Sequence, residues 1–236
     1  MKRVISLAIN RVIQSICTAG RKFFGTLLKQ CHPFTGSKAY WNRRYEKGGN
    51  SGIGSYGKLA EFKAEVLNNF VKEERISTII EFGCGDGNQL RLTEYPSYIG
   101  FDISKNAVSL CRNIFEGDER KIFKLMDEYA GEMAELTLSL DVIYHLVEDA
   151  VFIKYMERLF NSSEKFVVIY SSNMEDQRAH QAPHVRHRRF STWIQENKPQ
   201  WKFRTHIPNK YPLTNDGEQG SFADFYIYEK IRWEFS

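Results

Sequence analysis

The run Ile79-Ile80-Glu81-Phe82-Gly83-Cys84-Gly85-Asp86-Gly87 sets three glycines at alternate positions behind a mostly apolar stretch. A buried strand ending in a tight turn at a helix start reads this way. Glycine lets such a backbone close on a ligand where a side chain would stop it, and the turn's amides suit polar or anionic ligand atoms. Asp102 ends a second apolar run, 21 residues after Glu81. A carboxylate there can take both hydroxyls of a ribose. Asp141-Val142-Ile143-Tyr144-His145 follows another apolar run. It offers a carboxylate and an imidazole able to act as a general base. Ser172 and Asn173 follow the run Phe166 to Tyr170; they suit a sugar hydroxyl or an amide, or they cap their own loop. From His180 to Phe190 the chain holds three His (His180, His184, His187) and three Arg (Arg186, Arg188, Arg189) in eleven residues. Arg forks and His suit phosphate or carboxylate, and a solvated basic loop is the other reading. Zinc held by the three His has no carboxylate or Cys ligand nearby in the sequence, and no metal is expected.

The elements that must position these groups alternate. A helix is read over residues 58–72, with Leu59, Phe62, Val66 and Phe70 near one face. Strands follow at 77–83, 98–102, 121–126, 136–142, 166–170, 201–207 and 222–229. Between them lie helices at 88–94, 105–115 (capped by Ser104), 148–160 (Val151, Tyr155 and Leu159 inward) and 190–197. Strand–helix alternation implies a mostly parallel sheet with right-handed crossovers, and ligands then lie at the carboxyl ends of the strands where their order switches.

The dinucleotide fingerprint needs a third glycine at position 88, which is Asn88. The observed Glu81-x-Gly83-x-Gly85-x-Gly87 resembles motif I of the class I S-adenosylmethionine (SAM) methyltransferases. Gly100-Phe101-Asp102, Met126-Asp127 and Leu138 to Leu146 resemble the next three stations of that family, in order, and the match spans roughly residues 38 to 230. Tyr40-Trp41-Asn42-Arg43-Arg44-Tyr45 resembles the Y-W-x-x-R-Y stretch that folds over the cofactor. The resemblance implies a Rossmann-like α/β fold: a seven-stranded, mostly parallel sheet of order 3-2-1-4-5-7-6, flanked by helices. It implies SAM as cofactor and S-adenosylhomocysteine (SAH) as product. Glu81, Gly83, Cys84, Gly85, Gly87, Asp102, Ile103, Met126, Asp127, Asp141 and Trp41 are then the cofactor-binding residues. His145 and His184 are the candidates for handling a proton, and Asn173, Arg186, His187 and Arg188 those for binding the acceptor. A structural role for His145, and core packing for Trp41 and Tyr45, stand beside these readings. The D/N-P-P-F/Y motif of nucleic-acid amino-methyltransferases has no counterpart after Tyr170, which disfavours that chemistry.

At 236 residues and a net charge of +4, the chain reads as one domain with an appendage. Residues 1–45 hold nine Lys or Arg and no acid, leaving 24 basic against 29 acidic residues in the rest. Residues 1–36 are read as a basic amphipathic helical extension and 37–236 as the methyltransferase domain. The face carrying Ile5, Ile9, Val12, Ile16, Phe23 and Leu27 suits either an anionic membrane surface, through residues 3–29, or docking on protein. Five glycines between Gly48 and Gly57 make either a lid or a plain connector. The four cysteines match no zinc or disulfide pattern. A cytoplasmic protein is expected, peripheral on the cytoplasmic membrane face in the membrane-surface reading of residues 3–29. The whole resembles methyltransferases of surface-polysaccharide assembly, implying O-methylation of a sugar hydroxyl or uronate on a glycan, nucleotide-sugar or lipid-linked sugar. An RNA or small-metabolite enzyme, and a non-catalytic SAM-binding scaffold at a membrane, are the rivals. Nucleic acid is disfavoured by the net acidic body.

Overall fold

The computed structural model describes residues 34–177, 181–214 and 220–231. The expected extension over residues 1–36 falls outside the described residues as far as residue 33, and so does His180. The helices are α1 (Ser37–Glu46), α2 (Gly57–Glu73), α3 (Lys105–Ile114), α4 (Asp149–Asn161) and α5 (Phe190–Asn197). The strands are β1 (Ile79–Phe82), β2 (Tyr98–Asp102), β3 (Lys121–Leu125), β4 (Ala134–Leu140), β5 (Ser163–Ser171), β6 (Trp201–Ile207) and β7 (Asp224–Lys230). Among the described residues these strands form one sheet in the order β3-β2-β1-β4-β5-β7-β6, as expected. Neighbours from β3 to β5 are parallel, and β7 runs antiparallel to both β5 and β6.

Successive strand residues point to opposite faces, and the sheet is covered on both. Ile79 and Val168 pack with Phe62, Leu67 and Phe70 of α2 and with Val108 and Cys111 of α3. Their neighbours Ile80 and Val167 pack on the other face with Phe152, Met156 and Leu159 of α4 and Phe190 and Ile194 of α5. Strands buried on both faces read as continuous apolar runs, which is why β1 and β5 are visible in the sequence. Ser104 caps α3 as expected, its side chain accepting from the Ala107 amide.

Two local expectations are corrected. Gln89–Leu92 forms a single 3-10 turn where a helix over 88–94 is expected. The segment is closed from outside: Asn68 of α2 donates to Leu92 O at 3.0 Å and accepts from Glu94 N at 3.0 Å. Those bonds replace the ones a further helical turn would supply. On α4, Val151 is 43% exposed rather than inward, because Phe152, Tyr155, Met156, Leu159 and Phe160 form the buried stripe.

Candidate active site

The glycine turn follows β1 with positive φ at Gly83 (92°) and Gly85 (60°), where a side chain is strained. Space is closed there too. A Cβ on Gly83 would stand 2.5 Å from Val142, and one on Gly85 would stand 2.3 Å from Ser51 Oγ. Every amide of the turn donates within the protein. Gly83 N and Cys84 N donate to Phe101 O, at 2.7 and 3.1 Å, and Gly87 N donates to Cys84 O at 3.4 Å. Gly85 N donates to Asp102 Oδ2 at 3.0 Å, Asp86 N to Ser51 Oγ at 2.9 Å, and Asn88 N to Asp86 Oδ1 at 3.1 Å. The expectation that these amides serve anionic ligand atoms is therefore corrected: the turn is stitched to β2 and to the loop before α2.

Carboxylates gather where the amides are committed. Glu81 is buried and accepts from Tyr98 OH at 2.6 Å; burial pushes its carboxyl up to about 7. Asp102 is also buried and accepts from Gly85 N and from Ser104 N (2.8 Å). Burial outweighs those bonds and raises its carboxyl to about 6. The Ile103 amide also bears on this carboxylate, and three donors leave part of its acceptor capacity unused. Asp141 follows β4 at φ 59°. Its Oδ1 accepts from Tyr144 OH at 2.8 Å and its Oδ2 from Lys63 Nζ at 2.6 Å.

Two segments cover these groups. Helix α1 is latched at its start, where Ser37 donates its amide (2.9 Å) and hydroxyl (2.6 Å) to Glu148. At its far end the Tyr45 hydroxyl meets Ser51 Oγ at 2.9 Å. Tyr45 is buried and Trp41 half-buried, and both line the cavity described below. The Gly-rich loop lies on the turn: Asp86 Oδ2 accepts both Ser51 N and Tyr56 OH at 2.8 Å, and Asn88 Nδ2 donates to Ser55 O at 2.7 Å.

His145 stands beside them. Its Nδ1 lies 3.0 Å from the carbonyl of His184, its ring meets Trp41 edge-on at 4.8 Å, and His184 stacks on Tyr40 at 4.0 Å. A carbonyl only accepts, so Nδ1 carries the hydrogen and Nε2 keeps its lone pair. Burial lowers the His145 imidazole to about 4, and burial lowers that of His184 as well. The tautomer and the neutral state thus both leave an acceptor at Nε2.

Together these groups line a cavity of about 460 Å³. Of the residues expected to bind cofactor, Glu81, Gly83, Cys84, Gly85, Asp102, Ile103, Met126, Asp127, Asp141 and Trp41 line it, and His145 joins them. Gly87 does not line it; a Cβ there would meet Cys111 and Phe115 of the α3 segment at 3.0 and 3.1 Å, so its smallness serves packing. Lys63 lines the cavity too and is absent from the sequence reading. Its signal is a lysine on the inward face of α2, between buried Leu59, Phe62 and Leu67.

The residues expected to bind the acceptor have a different character. Arg188 Nη1 donates to Asp149 at 2.6 Å and its Nη2 to the carbonyls of Leu146 and Val147. Arg186 pairs with Asp149 at 3.0 Å and donates to Val147 O. His187 is buried with Nδ1 2.7 Å from Ser172 Oγ, and Asn173 holds the start of α5 by accepting from Ser191 N. None of the four lines the cavity, and their bonds tie residues 181–191 to β5 and α4. Among the described residues no three His, Cys, Asp or Glu side chains converge as metal ligands.

No protein-family model matches the chain, and no curated protein matches it by sequence. Solved structures do match. The N-methyltransferase NodS from Bradyrhizobium japonicum WM9, in complex with SAH, is 12% identical; the match has a TM-score of 0.62 and covers 83% of this chain and 98% of that one. The methyltransferase domain of bacterial CtHen1-C is 16% identical, with a TM-score of 0.57, over 74% of this chain and 100% of that one. CalS10, an amino pentose methyltransferase from Micromonospora echinaspora with SAM bound, is 11% identical, with a TM-score of 0.55, over 74% and 92%. The chain has the Rossmann-like fold of the class I methyltransferases.

Proposed function

We propose that the protein transfers the methyl group of SAM to an oxygen acceptor. The observation that carries this reading is the turn itself: all six amides from Gly83 to Asn88 donate within the protein, while buried carboxylates line the cavity beside them. A pyrophosphate needs free amides at such a turn, so a dinucleotide fits poorly. A ligand carrying a ribose and a net positive charge fits the carboxylates. The NodS and CalS10 structures, with SAH and SAM bound, support the same choice.

In this reading Asp102 takes the ribose hydroxyls with the acceptor capacity its backbone donors leave unused. Ile103, Met126 and Asp127 flank the base, and Glu81, Asp141, the turn from Gly83 to Gly85 and Trp41 hold the remainder. The cofactor, when bound, supplies a methyl group already activated on a sulfonium. The protein then has to position an acceptor hydroxyl and receive its proton. His145 Nε2 accepts from that hydroxyl. As the oxygen gains the methyl, its proton becomes far more acidic than that of an imidazolium, so a weak base that is neutral before transfer is sufficient; the imidazolium formed then returns the proton to solvent.

The acceptor is a sugar hydroxyl of a glycan or of its nucleotide- or lipid-linked precursor. The Trp41 ring, edge-on to His145 and lining the cavity, supports this, because it offers a flat apolar face with a polar edge. The pairing of Arg186 and Arg188 with Asp149 favours a hydroxyl over a uronate carboxylate. The basic stretch over residues 3–29 would hold the enzyme on the anionic membrane where lipid-linked sugars lie. Methyl-labelled SAM offered to wild type and His145→Gln with lipid-linked glycans, nucleotide sugars, RNA, protein and small metabolites tests the reading. Label is expected in a sugar fraction, falling about a hundredfold or more in the variant while SAH affinity holds. Label in RNA or protein rejects the sugar acceptor. SAH binding without transfer to any fraction favours a scaffold.

A further inference from the structure

Among the described residues, Lys63 is a cation whose burial the fold alone does not explain. It sits midway along α2 with its side chain 1% exposed, yet it reaches the cavity between the ends of β1 and β4. An ammonium has three donors. Among the described residues, Asp141 Oδ2 is the acceptor it reaches, at 2.6 Å, and the Tyr170 ring lies 5.1 Å away. A buried cation with donors to spare is costly, and a leucine or methionine at position 63, on the same helix face as buried Leu59 and Leu67, would avoid that cost.

We infer that Lys63 anchors a carboxylate of the bound ligand. A phosphate is the poorer candidate, since the turn's amides are all engaged and Glu81, Asp102 and Asp141 line the same cavity. A singly charged carboxylate suits one ammonium, and Asp141, held at its other oxygen by Tyr144, stays beside it for a neighbouring ammonium. Two ligands carry such a carboxylate: the amino-acid tail of the cofactor, in which case the inference rests on the proposed function, and an acidic acceptor.

Calorimetry on the full chain compares SAH with S-adenosyl-3-thiopropylamine, the same molecule without its carboxylate. Wild type is expected to prefer SAH by about tenfold or more. Lys63→Met is expected to bind the two within about twofold of each other, and Lys63→Arg to recover part of the preference. The wild-type comparison stands even where Lys63→Met folds poorly. A melting scan with D-glucuronate added to the amine complex probes the other source. Stabilisation of wild type and not of Lys63→Met, with equal affinity for the two nucleosides, assigns the carboxylate to the acceptor. Equal nucleoside affinities in wild type with no glucuronate effect overturn the anchor, and so does a preference for SAH that survives Lys63→Met. Wild type that binds neither nucleoside rejects the cofactor reading instead, and the glucuronate scan is then run on the ligand-free chain: stabilisation of wild type and not of Lys63→Met keeps the anchor, and no stabilisation overturns it.

Discussion

The carboxyl ends of β1, β2 and β4 and the segment from Gln181 to Phe190 are both rich in charge, and they use it in opposite ways. Around the glycine turn the carboxylates are buried and keep bonding capacity toward a cavity. In the second segment Arg186 and Arg188 converge on one carboxylate, Asp149, and on the carbonyls of Leu146 and Val147. Charge whose bonds are used up inside the protein positions backbone; charge that keeps donors or acceptors to spare is available to recognise something else. The difference shows that a density of Arg and His is weak evidence for anion binding until their partners are known.

Exchanging a side chain in each region tests that contrast. Asp102→Ala is expected to weaken SAH binding by about a hundredfold, because the ribose loses a charged acceptor, with the fold retained by circular dichroism. Unchanged affinity would place the ligand elsewhere. Arg188→Met is expected to act the other way: about 2 kcal/mol of stability lost in denaturant titration, with SAH affinity nearly unchanged. A clear loss of acceptor turnover at full stability would instead make Arg188 a recognition residue. The smallest effect is in pH. Glu81 and Asp102 have raised carboxyls, at about 7 and about 6. The folded state therefore holds their protons more readily than the unfolded chain does. Ligand-free stability is expected to be higher at pH 6 than at pH 8, lost as pH rises through those values. SAH affinity should run oppositely, falling as pH drops below about 6 and Asp102 is neutralised. Matching slopes for the two would remove Asp102 from the site.

The cavity lining was legible because it depends on residue type at fixed spacing along strands. Glu81, Asp102 and Asp141 each sit at or just past the end of an apolar run, and the sheet brings such ends together. Partners distant in sequence were not legible. Ser51 meets Asp86 from 35 residues away, and Arg188 finds Asp149 from 39. Lys63 was hidden differently: within an amphipathic helix a lysine reads as solvated unless its angular position is compared with Leu59 and Leu67. Gly87 fits the motif by spacing, yet its neighbour is Cys111 of α3 rather than the cavity.

The antiparallel strand β7 has a consequence for biogenesis. It is the last of the seven strands to be synthesised, yet it lies between β5 and β6. On the ribosome β1 to β5 can assemble as they emerge, while β6 waits for a partner that has not been made. Closure of the sheet is thereby deferred until residues 224–230 are free of the exit tunnel. A nascent chain stopped before them would carry two unpaired strand edges, at β5 and β6, which makes that stage of synthesis the one most exposed to aggregation.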